Sequence, residues 1–392
     1  MSTTQLAAPA GPAADPTPLD DAAPVPFLDL VAQQLEVDAE VREGLEQVLA
    51  TAGFIGGPWI DRFERAYADA VGVGHCIGVG SGTDALELAL RGVGVSPGGE
   101  VILPANTFIA TAEAVSRIGA VPVLVDVDPD HLLIDPSAVE AAVTDRTQAI
   151  VPVHLFGQAA FVEQLAVVAE REGAVIVEDA AQSQGATRHG RPAGSLGAAA
   201  GTSFYPGKNL GAAGDAGAVL TDDADAAAHV RRLGNHGSAT KYHHDVIGMN
   251  SRLDAVQAVV LSAKLRRLAA WNEARRAAAA RYAELLGDVE GVRLPFAAEG
   301  NEHVWHLYPV RVADRDAVLD RLRVAGIGAG VHYPVPVHLT GAYADLGHAH
   351  GSFPVTETAA GTMISLPMFP HITPDQQERV AEVLRAAVEV PR

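Results

Sequence analysis

The run Ser203-Phe204-Tyr205-Pro206-Gly207-Lys208-Asn209-Leu210-Gly211 sets a single lysine among glycines and apolar residues, with no other charge in the stretch. An ammonium in such surroundings is poorly solvated, so its pKa falls and the neutral amine becomes accessible. A neutral amine is what Schiff-base chemistry with a carbonyl requires. Upstream, the apolar run Ala174-Val175-Ile176-Val177 ends in Glu178-Asp179. Pyridoxal phosphate (PLP) needs both groups: a lysine for its aldehyde and a carboxylate for its pyridinium nitrogen. Lys208 alone reads first as a surface lysine in a glycine-rich loop. Asp179 and a seat for the phosphate argue against that reading.

The seat is Gly80-Ser81-Gly82-Thr83-Asp84-Ala85-Leu86, which follows an apolar run and opens a helix. Free backbone N–H groups at a helix start form an anion site, and the glycines allow close approach. An ordinary N-cap by Ser81 or Thr83 would use the same residues. The G-x-G-x-x-G spacing of a dinucleotide fingerprint is lacking.

Outward from these motifs, short apolar runs alternate with segments of helical period. Candidate strands are Cys76–Gly80, Val101–Leu103, Val121–Asp126, Ala149–His154, Ala174–Glu178, Gly201–Phe204 and Gly217–Thr221. Fully apolar strands separated by helices, such as Thr83–Arg91 and Ala159–Arg171, indicate an α/β domain with a mostly parallel sheet covered on both faces. Past about residue 250 the pattern changes. Arg252–Leu285 reads as one long helix. A strand (Trp305–Val312), a helix (Arg315–Ala325), a strand (Gly328–His332) and a last helix (Pro374–Val388) follow. The expected organisation is a leader over residues 1–25, a large domain over 26–250 and a smaller α+β domain over 251–392. Residues 1–24 are mostly Ala, Pro, Asp and Thr, a composition that reads as disordered.

The chain has 392 residues, 48% of them hydrophobic and 19% charged, which describes a soluble globular protein with a large core. The formal net charge of −20 argues against a nucleic-acid partner, while leaving room for an anionic substrate held by local cations. The single cysteine, Cys76, excludes an intrachain disulfide and fits a reducing cytoplasm. No apolar run reaches the length of a membrane span, and the N-terminus lacks the basic start and apolar stretch of a secretory signal.

Five motifs, taken in order, resemble the DegT/StrS-type sugar aminotransferases. They are Gly82-Thr83-Asp84-Ala85-Leu86, Pro104-Ala105-Asn106-Thr107-Phe108-Ile109-Ala110-Thr111, Glu178-Asp179-Ala180-Ala181-Gln182-Ser183, Ser203 to Asn209, and Asn250-Ser251-Arg252-Leu253-Asp254. The resemblance covers roughly residues 26–390. It implies fold type I of the PLP-dependent transferases, the aspartate aminotransferase fold, with a seven-stranded sheet. It makes Lys208 the carrier of the cofactor's aldehyde and, once freed, the group that moves a proton between the sugar carbon and the cofactor. It implies that Asp179 keeps the pyridinium nitrogen protonated, that Gln182 bonds the phenolic oxygen and that Phe108 stacks on the ring. It assigns the phosphate to Gly82, Thr83 and Ser203. It also implies that Asn250 reaches the neighbouring subunit's phosphate, making a homodimer with shared sites.

On the sugar side the resemblance offers Tyr242, His332 and Tyr333 for hydroxyl and pyrophosphate contacts. Arg231, Arg232 and Arg252 could add positive charge for a diphosphate, or be ordinary solvated helix residues. His243-His244 and His348-x-His350 lack metal-site spacing, so no metal is expected. The implied reaction moves an amino group from L-glutamate to a nucleotide-linked keto-deoxysugar. The branch acting on dTDP-3-keto-6-deoxyhexoses fits best; 4-keto and UDP-3-keto-uronate branches share much of the pattern. PLP-dependent sugar dehydratases of this fold carry histidine in place of the lysine, and Lys208 argues against them. A non-catalytic regulator would be expected to lose Lys208 or Asp179 or to add a DNA-binding module.

Overall fold

The seven apolar runs expected as strands join one sheet in a computed structural model that describes residues 23–389. They are β1 (His75–Val79), β2 (Glu100–Pro104), β3 (Val121–Val125), β4 (Thr147–Ile150), β5 (Val175–Asp179), β6 (Ala199–Ser203) and β7 (Gly217–Thr221). Across the sheet the order is β1-β7-β6-β5-β4-β2-β3. From β6 to β3 neighbours run parallel; β7 lies antiparallel between β1 and β6. Parallel neighbours need crossovers, and helices supply them. Every residue of β2, β6 and β7 is buried, which is why these strands read as continuous runs without alternation.

The helices that matter for the site are α1 (Asp38–Thr51), α2 (Pro58–Val71), α3 (Gly82–Gly92), α4 (Ile109–Arg117), α5 (Val162–Glu172), α6 (Ala224–Gly234), α7 (Ala255–Leu265), α8 (Leu268–Leu286), α9 (Arg315–Val324) and α10 (Pro374–Glu389). α3 lies close on β6: a Cβ added at Gly201 would sit 2.8 Å from the Leu86 nitrogen. Its apolar face, including Leu86, Leu88 and Leu90, joins one core with Val79, Leu103 and Val177. On the other side α2 and α7 bury Phe63, Tyr67 and Val259 against Phe204 and Leu210. The loop carrying Lys208 therefore emerges between two packed layers.

The smaller domain pairs β8 (Tyr308–Val312) antiparallel to β9 (Met363–Leu366). Helices α8, α9 and α10 pack on them through Tyr282, Leu322 and Leu384. Two expectations need correcting. The long helix is two helices: α7 ends at Leu265 and α8 begins at Leu268. The break serves two cores, because α7 packs with the large domain and the far end of α8 with the small one. The segment Gly328–His332 is not a strand but a single bridge, Gly330 to Ser365. Its start is clamped by the N-terminal segment, where a Cβ at Gly328 would meet the Phe27 nitrogen at 2.5 Å. Residues 1–22 of the expected leader lie outside the described residues. Val25, its last residue, is buried and bridges Ile327.

Candidate active site

Asp179 is the last residue of β5, where the side chain alternation of a strand turns it away from Glu178. Only 5% of it is exposed. One carboxylate oxygen accepts from the Thr111 hydroxyl at 2.7 Å, the other from the Ala181 N–H at 3.1 Å. Burial pushes this carboxyl above its ordinary range, against those two hydrogen bonds and the positive charge of Lys208. The backbone of Asp179 is fixed in turn: its N–H donates to Pro152 and its carbonyl accepts from His154.

Glu178 does a different job. It is fully buried and accepts from the amides of Gly194, Leu196 and Gly197. It also lies 2.8 Å from His154 Nε2. His154 Nδ1 accepts from the Ala160 N–H, so the ring donates through Nε2. This knot holds the strand end on which Asp179 stands.

Lys208 is half-buried in the loop after β6, its N–H bonded to the Tyr205 carbonyl. Burial lowers its pKa to about 8, with Asp179 pulling the other way. β5, which ends in Asp179, pairs with β6, which leads into the lysine's loop. Asn209 anchors the loop by donating to Asn272 on α8 and to the Val304 carbonyl, at 2.9 Å each. Its own oxygen lies 3.2 Å from Nδ1 of buried His306, whose pKa burial and the Lys208 charge depress strongly. Sequence reading gave roles to none of Thr111, Asn209, His154 and His306. Thr111 and Asn209 lay inside quoted motifs, but no spacing marks what they touch.

The phosphate seat is assembled as a helix start. Ser81 caps α3 by accepting from the Asp84 N–H, so the cap leaves the amides of Gly82 and Thr83 uncommitted. Gly82 presses on Ser203: a Cβ there would lie 2.5 Å from the Ser203 Cβ. Ser203 Oγ accepts from the Tyr205 N–H, which leaves its hydroxyl proton free to donate. Phe108 stands at the N-cap of α4 with 52% of its surface exposed, and tilts against Tyr333 at 5.3 Å. Gln182 donates to the Tyr333 hydroxyl at 3.1 Å. The Gln182 carbonyl oxygen is buried with no partner. His332 stacks on Phe27 at 5.6 Å and meets the Ser365 hydroxyl at 3.0 Å.

These residues suit PLP: an anion seat that only glycine permits, a ring face, an unpartnered buried amide oxygen, a carboxylate and a poised amine. Two candidates stand apart from this pocket within the chain. Tyr242 is 80% exposed on a short hairpin, and Asn250 is exposed. The neighbour of Asn250 nevertheless ties that segment to the phosphate seat, since Ser251 Oγ accepts from the Gly80 N–H and donates to Asp84. Arg231 is committed to Glu64 at 2.6 Å and to the Cys76 carbonyl, so it is not a free cation for a diphosphate. Among the described residues, no cluster of three or more His, Cys, Asp or Glu could hold a metal, and no helix is long and apolar enough to cross a membrane.

The family model described as DegT/DnrJ/EryC1/StrS aminotransferase family matches residues 36–385. The erythromycin biosynthesis sensory transduction protein EryC1 of Saccharopolyspora erythraea is 47% identical, covering 92% of this chain and 99% of that one. The dTDP-3-amino-3,4,6-trideoxy-alpha-D-glucose transaminase of Streptomyces venezuelae is 46% identical over 93% of this chain and 96% of its own. The crystal structure of S. venezuelae DesV in complex with a ketimine intermediate superposes with a TM-score of 0.92 at 45% identity, covering 95% of this chain and all of that one.

Proposed function

The chain belongs to the DegT/DnrJ/EryC1/StrS aminotransferase family, and on that premise we propose that it is a PLP-dependent nucleotide-sugar aminotransferase. It takes the amino group from L-glutamate and delivers it to C3 of a dTDP-3-keto-6-deoxyhexose. The observation that carries the reaction class is that half-buried Lys208 follows β6 and buried Asp179 ends the neighbouring β5, beside the Gly82–Ser203 contact of the phosphate seat. The choice of C3 leans on the 46% identity to a dTDP-3-amino sugar transaminase.

When bound, PLP supplies the electron sink that makes the hydrogen on the nitrogen-bearing carbon labile. The protein's part is placement and proton handling. Asp179 offers a desolvated carboxylate to the ring nitrogen, and Gln182 the second N–H of its side-chain amide to the phenolic oxygen. Phe108 covers one ring face. The amides of Gly82 and Thr83 and the hydroxyl of Ser203 hold the phosphate. Lys208, with its lowered pKa, has the neutral amine needed to accept and return the substrate's proton. Tyr333 and His332 line the mouth where the sugar enters, and a site matched to particular hydroxyls rejects analogues that leave its polar groups unpaired.

Asn250 and Tyr242 are proposed to act across a two-fold interface, reaching the cofactor phosphate and the sugar of a second copy. Their exposure, with Ser251 anchoring the segment, supports that reading. The substrate assignment is tested in reverse, with dTDP-3-amino and dTDP-4-amino sugars offered separately and the cofactor's absorbance followed. Conversion of the 3-amino compound, with 2-oxoglutarate completing the cycle, is expected. Exclusive conversion of the 4-amino compound overturns the C3 assignment and leaves the aminotransferase reading standing.

A further inference from the structure

Asp179 has to be an anion for its proposed role, yet it is buried where burial favours the neutral acid. We propose that Thr111 holds Asp179 in its charged form, and so sets the protonation of the cofactor's ring nitrogen, while Thr107 fixes the direction in which Thr111 donates. This rests on the PLP reading given above.

The argument is a count of hydrogens. Thr111 Oγ1 lies 2.7 Å from Asp179 Oδ2 and 2.7 Å from Thr107 Oγ1. Both threonines are buried, at 1% and 3% exposure. A hydroxyl has one hydrogen to give. An ionised carboxylate can only accept, so Thr111 must spend its hydrogen on Asp179. Thr107 must then spend its own on Thr111. The result is a one-way chain, Thr107 to Thr111 to Asp179, that excludes a proton on Oδ2 and is strongest when the carboxylate is ionised. If Asp179 were protonated and donated to Thr111, the chain would have to reverse. Charged acceptors make the stronger hydrogen bonds, so the ionised form gains most.

The placement is built into the fold. Thr107 precedes and Thr111 follows Phe108, at the start of α4. One turn of helix therefore presents the ring face and the charge-setting hydroxyl together. The second oxygen of Asp179 takes the Ala181 N–H, leaving lone pairs for one further donor, which the ring nitrogen supplies. The other titratable groups that face Asp179 are Lys208 across the pocket, His154 behind the strand and the phenol of Tyr333. Lys208 is consumed when it carries the cofactor, and His154 spends its donor on Glu178. That leaves Thr111 as the side chain that stabilises the anion throughout a cycle.

Without the Thr111 hydroxyl, the proton shared between carboxylate and ring nitrogen moves toward the carboxylate. The test uses holoenzyme loaded with cofactor isotope-labelled at the ring nitrogen, whose NMR shift reports protonation directly. Cofactor affinity is measured alongside. In the parent the nitrogen stays protonated through neutral pH. In Thr111→Val its deprotonation midpoint falls by about one to two pH units and the dissociation constant rises roughly ten- to a hundred-fold, the span of a hydrogen bond to a charged group. Thr111→Ser restores both, and Thr107→Val, which leaves Thr111 in place, gives an intermediate shift. Should Thr111→Val fail to fold, Thr107→Val against the parent decides the matter. A nitrogen titration in these variants that matches the parent overturns the proposal. A parent protein that binds no PLP overturns the cofactor reading itself, a distinct result.

Discussion

Burial draws the titrations of Lys208 and Asp179 toward each other, lowering the lysine and raising the acid. The consequence for the lysine is measurable in the apo protein. Below about pH 8 it is an ammonium and inert toward an aldehyde; above, the amine is free. The rate of cofactor capture should rise through pH 8 and then level off, and Lys208→Ala should capture none covalently; stopped-flow absorbance reads both. Stability must follow with a definite sign. Between about 8 and 10.5 the unfolded chain keeps the lysine protonated while the folded chain does not, so the apo protein gains stability as pH climbs across that window. Lys208→Ala should lack that gain in denaturant titrations. A parent whose capture rate is flat from pH 7 to 9 would contradict the lowered pKa.

At the scale of elements, the contact between the start of α3 and the end of β6 makes the phosphate seat. Gly82→Ala would force a methyl to 2.5 Å from the Ser203 Cβ, with the Ser203 backbone just behind. Overpacking of this kind costs about 1–3 kcal/mol. The seat should open as well, so cofactor affinity should fall at least as much as stability. Gly361→Ala is the control, since its helix position has open space and no left-handed backbone. Equal affinity for Gly82→Ala and the parent would contradict the seat. The sheet was legible in the sequence because parallel strands buried on both faces read as plain apolar runs. Lys208 and Asp179 were legible because each is a charge where charge is costly. Thr111 was not, because its partner lies 68 positions further along the chain and threonine is unremarkable at a helix start. The break between α7 and α8 was hidden by good helix formers on both sides of it. The bridge at Gly330 was over-read as a strand because its limits are set by Val25, Phe27 and Ser365, all distant in sequence.

At the scale of the whole molecule, the proposed sharing of sites makes a prediction that no single chain can satisfy. Lys208→Ala and Asn250→Asp subunits, each inactive alone, should regain a fraction of activity when mixed and allowed to exchange. One of the two sites in a mixed dimer then carries neither change. Full activity in a species that sediments as a monomer would refute the shared site. The N-terminal segment adds something different. Phe27 lies before every strand of the sheet, yet its ring stacks on His332, which is proposed to line the mouth of the pocket. The proposed surroundings of the sugar are therefore written at both ends of the chain. A chimera that borrowed a relative's C-terminal half to change sugar preference would separate His332 from the aromatic residue it stacks on. Recombination intended to retune this pocket has to move the two segments as one.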